Sequence, residues 1–328
     1  MAKFIFRRLL MMIPVLVGVT LVIFTMVYFT PGDAAEMILG DMGTPEDKAQ
    51  LRAELKLDEP FIIRYIDYIS RLVLEGDLGT SFTTKRPVID EILERFPTTL
   101  LLAALSSLLA AVIGVIAGII SATKQYSLFD NIATGLSLIG VSIPNFWQGL
   151  MLILLFSVDL GWLPASGFNE PKQWIMPVIT LGTSNAATIM RITRSSMLEV
   201  IRQDYIRTAR AKGQIERIVI WKHALKNALI PVITTIGMTF GRMLGGAVLT
   251  ESIFAIGGIG KLMVDSIKLR NTPVVQGGVL FIAFAVSIVN LVVDVLYAFV
   301  DPRIKSQYSF KKKKASNSIT KGVTLNGE

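Results

Sequence analysis

The chain has 328 residues, of which 52% are hydrophobic and 18% charged, and its formal net charge is +8. A soluble domain carries about a quarter charged residues, so a water-soluble globular fold is excluded. With no cysteine and a single histidine, His223, disulfides and thiolate metal sites are excluded as well, and no metal or other cofactor is expected.

The apolar residues are gathered into runs. Residues 9–29, 96–123, 131–158, 173–190 and 271–293 contain no Asp, Glu, Lys or Arg, and a run over 227–250 is broken only by Arg242. A helix needs about 20 such residues to cross a bilayer core. The expected fold is therefore all-α and multi-pass. Six spans are expected at about 9–29, 98–123, 131–157, 173–191, 228–250 and 275–299. The first follows Lys3, Arg7 and Arg8. It reads as a retained anchor, because it is too long for a signal-peptide core and no small-residue cleavage site follows.

The outer segment, 30–97, reads as short helices near the membrane surface. Thr44-Pro45-Glu46-Asp47 has the form of a helix start: a capping residue, proline at the first helical position, then acids. Phe61, Ile62, Tyr65, Ile66, Ile69, Leu72 and Val73 recur at helical spacing and make one apolar face. Gly76 to Thr80 reads as a turn, and Pro87 opens another amphipathic stretch. This segment either caps the outer mouth or lies on lipid.

Orientation follows from the loops. Segments 1–8, 123–130, 191–228 and 301–328 hold 20 Lys and Arg, against 4 in the short loops 157–173 and 252–275. Positive residues favour the cytosolic side, so both termini are expected inside. The net charge is a signal of topology rather than of nucleic-acid binding. The tail, 306–328, contains Lys311 to Lys314 and is expected to be disordered, solvated or in contact with anionic lipid.

Catalytic motifs are missing. The nearest string to a phosphate-binding loop is Gly257-Gly258-Ile259-Gly260-Lys261-Leu262, but Ala255 stands where the first glycine belongs and Leu262 where the hydroxyl belongs. It would also face away from cytosolic ATP. No zinc-protease or nucleophile-elbow motif occurs. Ionisable groups within spans are costly and so are candidates for function. These are Arg242, and Asp294 near the inner end of the last span, with Ser184, Asn185, Asn145, Gln148 and Asn290 as polar groups that could line a passage. Interhelical hydrogen bonds or ion pairs explain them equally well at this stage.

The basic loop 191–228 holds a short helix over Asp204 to Lys212, stopped by Gly213, then a second over Ile218 to Leu229 leading to Pro231. Ala209 and Ala211 leave room for another surface, and Tyr205, Thr208 and Ala209 share one face. Arg207, Arg210, Lys212 and Arg217 supply charge. From the residues alone, a generic basic loop and a docking element both remain open.

The string Tyr205-Ile206-Arg207-Thr208-Ala209-Arg210-Ala211-Lys212-Gly213, with Trp221-Lys222-His223-Ala224-Leu225-Lys226-Asn227-Ala228-Leu229-Ile230-Pro231, resembles a loop of the inner-membrane permeases of binding-protein-dependent ABC importers. The match is to their dipeptide/oligopeptide/nickel branch. Pro31-Gly32-Asp33, Gly76 to Ser81, Ser142 to Trp147, Leu163 to Gly167, Pro273 to Gly277, Asp294 to Tyr297 and Asp301-Pro302-Arg303 extend it nearly to Lys305. The resemblance implies a bacterial or archaeal cytoplasmic membrane protein with the type I importer fold, and no enzyme activity of its own. It implies pairing with a second, similar permease, two cytosolic P-loop ATPase subunits and an extracytoplasmic substrate-binding protein. Tyr205, Arg207, Thr208, Ala209, Arg210, Ala211, Lys212 and Gly213 would form the helix that couples to an ATPase. The polar groups of the spans, Arg242, Asn185, Ser184, Asn145 and Asn290, are the candidates to line such a pathway on the cost of burying them. Short peptides are the expected cargo; nickel chelates, glutathione and oligosaccharides are carried by the same branch. An ion-coupled carrier would instead need acids at mid-membrane, which the spans lack. Asn271-Thr272 and Gly257-Gly258 depart from the branch pattern of an acidic-aromatic pair and Pro-Gly, and Lys226 stands where the broad importer signature has proline.

Overall fold

A computed structural model describes residues 2–30, 34–39, 43–54 and 56–300. Expectations for Pro31-Gly32-Asp33, Asp301-Pro302-Arg303 and the tail 306–328 lie outside these residues. The described residues are overwhelmingly helical; the only bridge between extended segments pairs Thr80 with Pro87.

Helix α1, Ala2–Phe29, is followed by three short helices: α2 (Ala34–Leu39), α3 (Pro45–Glu54) and α4 (Phe61–Leu74). The start of α3 is the expected one. The Asp47 N–H donates to Thr44 Oγ1 at 3.1 Å and the Thr44 N–H donates to Asp47 Oδ2 at 3.1 Å, a reciprocal cap that satisfies two donors at once. Pro87 does open a helix, but not a separate outer one: α5, Val88–Thr123, runs through Pro97 as a single rod. The last stretch of the expected outer segment is therefore the first turns of a span.

Helices α6 (Leu128–Ser142) and α7 (Asn145–Leu152) then replace the single span expected at 131–157. They meet at Ile143–Pro144, with a bend of 101° between Leu128–Ser142 and Asn145–Asp159. Proline lacks an N–H and disfavours helix in the residue before it, so the chain turns there although its apolarity does not change. A widened π-helical segment, Ile153–Asp159, follows. Next come α8 (Pro171–Ile201), α9 (Asp204–Ala211), α10 (Glu216–Ile218), a second π segment over Val219–Ala224, and α11 (Leu225–Gly246). The second helix of the basic loop is thus the beginning of a span, and Pro231 lies inside α11 instead of ending a loop. The chain closes with α12 (Val248–Ile253), α13 (Ile259–Lys268) and α14 (Thr272–Val300).

Among the described residues four helical stretches are long and apolar enough to cross a membrane, Phe4–Phe29, Val88–Thr123, Glu216–Gly246 and Thr272–Leu296, and the bent pair makes a fifth candidate. The run at 173–191 falls in α8, which is more polar because it is the central helix and packs on its neighbours instead of lipid. The α5–α8 contact is the most extensive in the molecule. Its cause is a stripe on α5 of Ser106, Ala110, Gly114, Gly118 and Ala122, one residue per turn and all buried. Small residues at this spacing let two helix backbones approach closely. Side chains of Ile189 and Met197 on α8 fill the neighbouring spaces. Helix α11 packs between α8 and α14, and α1 lies outermost against α14. Asp294 of α14 pairs with Arg8 of α1 at 2.7 Å, which accounts for this acid without a transport role.

Candidate coupling site and polar pathway

Helix α9 is short, and its position is set by one side chain. Ile206 is fully buried among Ile119 and Ala122 at the end of α5, Met197 of α8, and Val219, Ile220, Ala224 and Ala228 leading into α11. Burying such a side chain is worth about 1.5–3 kcal/mol, so α9 is pinned across the ends of three helices. Tyr205 adds a second tie, its hydroxyl accepting from Asn227 Nδ2 at 2.7 Å.

The end of α9 is a Schellman motif. The Gly213 N–H donates to the Arg210 carbonyl at 2.9 Å and the Gln214 N–H donates to the Ala209 carbonyl at 3.3 Å. Gly213 adopts φ +74°, the left-handed conformation this closure requires and that glycine adopts without strain.

Tyr205, Arg207, Thr208, Ala211 and Lys212 are exposed. They present a polar surface with a small-residue gap at Ala211. Two expectations change here. Ala209 turns inward, one helical turn from Ile206, and packs on the core, so its small size serves the fold. Arg210 is paired within the chain: its Nη2 and Nε donate to the Glu216 carboxylate at 2.7 and 3.0 Å, bracing the turn between α9 and α10.

The polar residues of the spans fall into two groups. Arg242 is exposed on α11, its Nη2 donating to Thr239 Oγ1 at 3.2 Å. Asn290, exposed on α14, lies against Gly241 beside it. On the other side, Ser184 and Asn185 are half-buried along α8, Asn185 Nδ2 donating to the Leu181 carbonyl at 2.7 Å. Asn145 opens α7 at the bend, and Gln148 Nε2 ties α7 to α8 by donating to Thr183 Oγ1 at 2.7 Å. No hydrogen bond among the described residues joins the two groups.

Three arrangements escaped the sequence reading. Asp130, buried at the start of α6, receives both Nε and Nη2 of Arg194 of α8 at 2.7 Å each. This two-pronged pair clamps the α9 end of the bundle, and its signal was an acid and a base at the same ends of two apolar runs. At the opposite end Asn271 is buried, accepting from the Phe82 N–H at 2.9 Å and donating to Ser81 Oγ at 2.8 Å. The departure at 271–272 therefore secures the 81–83 turn to α14.

The third explains the glycine string. Fully buried Glu251 of α12 accepts from Thr99 Oγ1 at 2.7 Å and from the Lys261 N–H at 3.0 Å. A Cβ on Gly258 would fall 2.4 Å from that carboxylate, and one on Gly260 2.5 Å from the Val248 Cα. The glycines wrap the chain's own carboxyl group, where such loops wrap phosphate elsewhere. Burial holds the Glu251 carboxyl above the ordinary carboxylate range. Glu251→Ala would leave the Thr99 O–H and the Lys261 N–H without their acceptor, although Thr99 Oγ1 still accepts from the Ile259 N–H at 2.9 Å. The expected cost is about 1–3 kcal/mol per buried group, read as a lower unfolding temperature of the detergent-solubilised chain.

The bundle of apolar helices, with an exposed, core-anchored helix between two of them, is a fold found in a solved ABC transporter. The methionine ABC transporter MetNI, solved in inward-facing conformations, has this fold: TM-score 0.53 at 20% identity, covering 65% of this chain and 97% of that one. Residues 114–306 match the family described as binding-protein-dependent transport system inner membrane component, and residues 1–103 match the N-terminal part of such membrane components. The chain belongs to this family. It is a multi-pass membrane transport subunit, not an enzyme, of a system that also comprises an ATPase and a substrate-binding protein. The dipeptide transport system permease protein DppB of Alkalihalophilus pseudofirmus is 44% identical over 333 residues, 93% of this chain and 100% of that protein. The glutathione transport system permease protein GsiC of Escherichia coli is 43% identical over 309 residues, 93% and 99%.

Proposed function

We propose that the chain is one of two unlike permease subunits that import di- and oligopeptides. Each would engage one of two cytosolic ATPases and receive substrate from an extracytoplasmic binding protein. Residues 1–305 form one transmembrane unit that crosses the membrane six times, with α8 and the bent α6–α7 pair each counted as a crossing and both termini in the cytosol. Helix α9 is the coupling element. Tyr205, Arg207, Thr208, Ala211, Lys212 and the Gly213 stop meet the ATPase, while Ala209 and Arg210 hold that surface in place. Arg242, Asn290, Asn145, Ser184 and Asn185 border the passage.

The observation that carries this reading is the geometry of α9: an exposed polar surface held by buried Ile206 across the ends of α5, α8 and α11. Force applied there reaches three helices at once. The peptide cargo rests on the 44% identity to a dipeptide permease over that protein's whole length; glutathione, named for the second relative, is itself a tripeptide.

The test is uptake by the assembled transporter in proteoliposomes. Labelled dipeptide should accumulate only with ATP and binding protein present, and unlabelled tripeptide should compete. ATP-driven uptake of a nickel chelate or an oligosaccharide without peptide uptake would assign the cargo elsewhere.

A further inference from the structure

The contacts between α4 and α1 order the faces of α4 by depth. The Arg64 guanidinium sits 5.3 Å from the centre of the Tyr28 ring, close to the end of α1. Phe61 packs edge-on against Tyr28 and Phe24, with ring centroids 5.1 and 5.4 Å apart. Tyr65, 5.4 Å from Phe24, reaches further back along α1, and its hydroxyl lies 3.0 Å from Thr20 Oγ1. Passing around α4 from its charged side to Tyr65 is therefore a passage down α1. At 3.6 residues per turn, the next side chains in that direction are Ile62, Ile66, Ile69 and Val73. Ile62, Ile66 and Val73 are 58%, 58% and 72% exposed.

The length of α1 fixes the level of this stripe. Its uncharged run, 9–29, is about 31 Å long at 1.5 Å per residue, which only just crosses a hydrocarbon core of about 30 Å. Both ends of the run therefore stand at the edges of the core. Arg8, paired with Asp294, marks one edge. Thr20 lies about 13 Å inside the other, and it is buried under Tyr65. The Tyr65 hydroxyl is thus at hydrocarbon depth, and the stripe beyond it points into the same layer.

The opposite side of α4 is charged and paired. Asp67 holds Lys56 at 3.4 Å and Arg71 at 3.0 Å, and Arg64 donates to the Leu57 carbonyl at 3.2 Å. Charge at the rim and bare isoleucines below it make the pattern of a helix lying in the plane of a membrane interface. Helix α1, outermost in the bundle, continues the apolar surface with exposed Val22 and Met26.

We propose that α4 lies in the membrane interface with Ile62, Ile66, Ile69 and Val73 among the acyl chains of phospholipid, in the outer leaflet under the orientation proposed above. The lipid contact follows from the depth of α1 and is independent of the cargo; only the choice of leaflet rests on that orientation. So placed, α4 holds the outer segment on the membrane beside α1 and does not cap the mouth of the bundle.

The chain contains no cysteine, so Ile62→Cys, Ile66→Cys, Val73→Cys and Arg71→Cys each introduce one thiol for a nitroxide spin label. The full chain of each variant is reconstituted in vesicles of phosphatidylethanolamine and phosphatidylglycerol. Power saturation then compares collisions of the label with oxygen, which concentrates in hydrocarbon, and with water-soluble chromium oxalate. Labels at 62, 66 and 73 should be relaxed by oxygen and shielded from chromium, with a ratio several-fold above that of the label at 71. Relaxation by chromium at the stripe would place it in water, and weak relaxation by both would place it against protein; either result overturns the proposal. All three stripe positions are exposed, so misfolding of one variant leaves the other two to decide. The leaflet has its own test: the Arg71→Cys thiol should react with a membrane-impermeant sulfonate reagent added to spheroplasts. Reaction only after lysis would overturn the outer leaflet, and the orientation with it, but not the lipid contact.

Discussion

Replacing Gly118 by leucine should prevent the transmembrane bundle from closing. A Cβ at this position would lie 2.5 Å from the Thr193 Cβ and 2.8 Å from the Met190 carbonyl oxygen. One of these atoms is helix backbone and cannot rotate away, so α5 and α8 must separate along their length. The same holds one turn earlier, where a Cβ on Gly114 would lie 2.7 Å from the Ala186 carbonyl. Overpacking of a rigid core costs about 1–3 kcal/mol, and here the clusters around Ile189 and Met197 would open as well. The detergent-solubilised variant should lose its monodisperse elution peak and unfold at a clearly lower temperature. Gly18→Leu on α1, where nothing lies within 4 Å, should behave as the parent. Equal stability of the two variants would remove the close α5–α8 approach from the account.

That stripe was legible and went unread. Gly114 and Gly118 are spaced by one turn in an apolar run, the pattern for close helix packing, but counting charges alone finds spans without saying which ones meet. Other features were hidden for better reasons. The bend at Pro144 leaves the hydropathy of 131–157 unchanged, so the run reads as one rod. Helix α8 carries the polarity of a buried central helix, which lowers its apparent fitness as a span. The start of α3 and the stop at Gly213 were readable because capping is local, fixed by residues within one turn. The inward turn of Ala209 was not: which face of α9 meets the core depends on where α5 and α8 end. Arg210 likewise finds Glu216 only because the turn at Gly213 brings them together. The carboxylate that the glycine string at 257–260 enfolds comes from Glu251 on a separate helix, so the string by itself does not reveal its partner.

Replacing Gly213 by valine should separate insertion from transport. Open space surrounds the position, so the substitution causes no clash. Its cost comes from the backbone: at φ +74° a residue with a Cβ, and a branched one above all, is strained by about 1–2 kcal/mol. That is enough to lower the population of the closed α9 terminus by roughly 5–30-fold. The variant should reach the membrane at normal levels, because Ile206 and the helices beneath it are untouched. Peptide uptake should fall by about an order of magnitude while ATP hydrolysis by the assembled complex continues without it. Gly213→Asn, which tolerates the left-handed conformation, should retain most uptake. Normal uptake by the valine variant would show that the shape of this turn does not matter to coupling.

In the proposed function, energy from a separate ATPase reaches the permease through the exposed face of α9. The chain contains no cysteine, so Thr208→Cys introduces a single thiol on that face, ready for a short thiol-to-amine cross-linker in the assembled transporter. A cross-link to the ATPase subunit is expected, with a yield that changes when ATP is bound. Absence of any cross-link to the ATPase, with Ile215→Cys elsewhere on the same loop giving one instead, would contradict it.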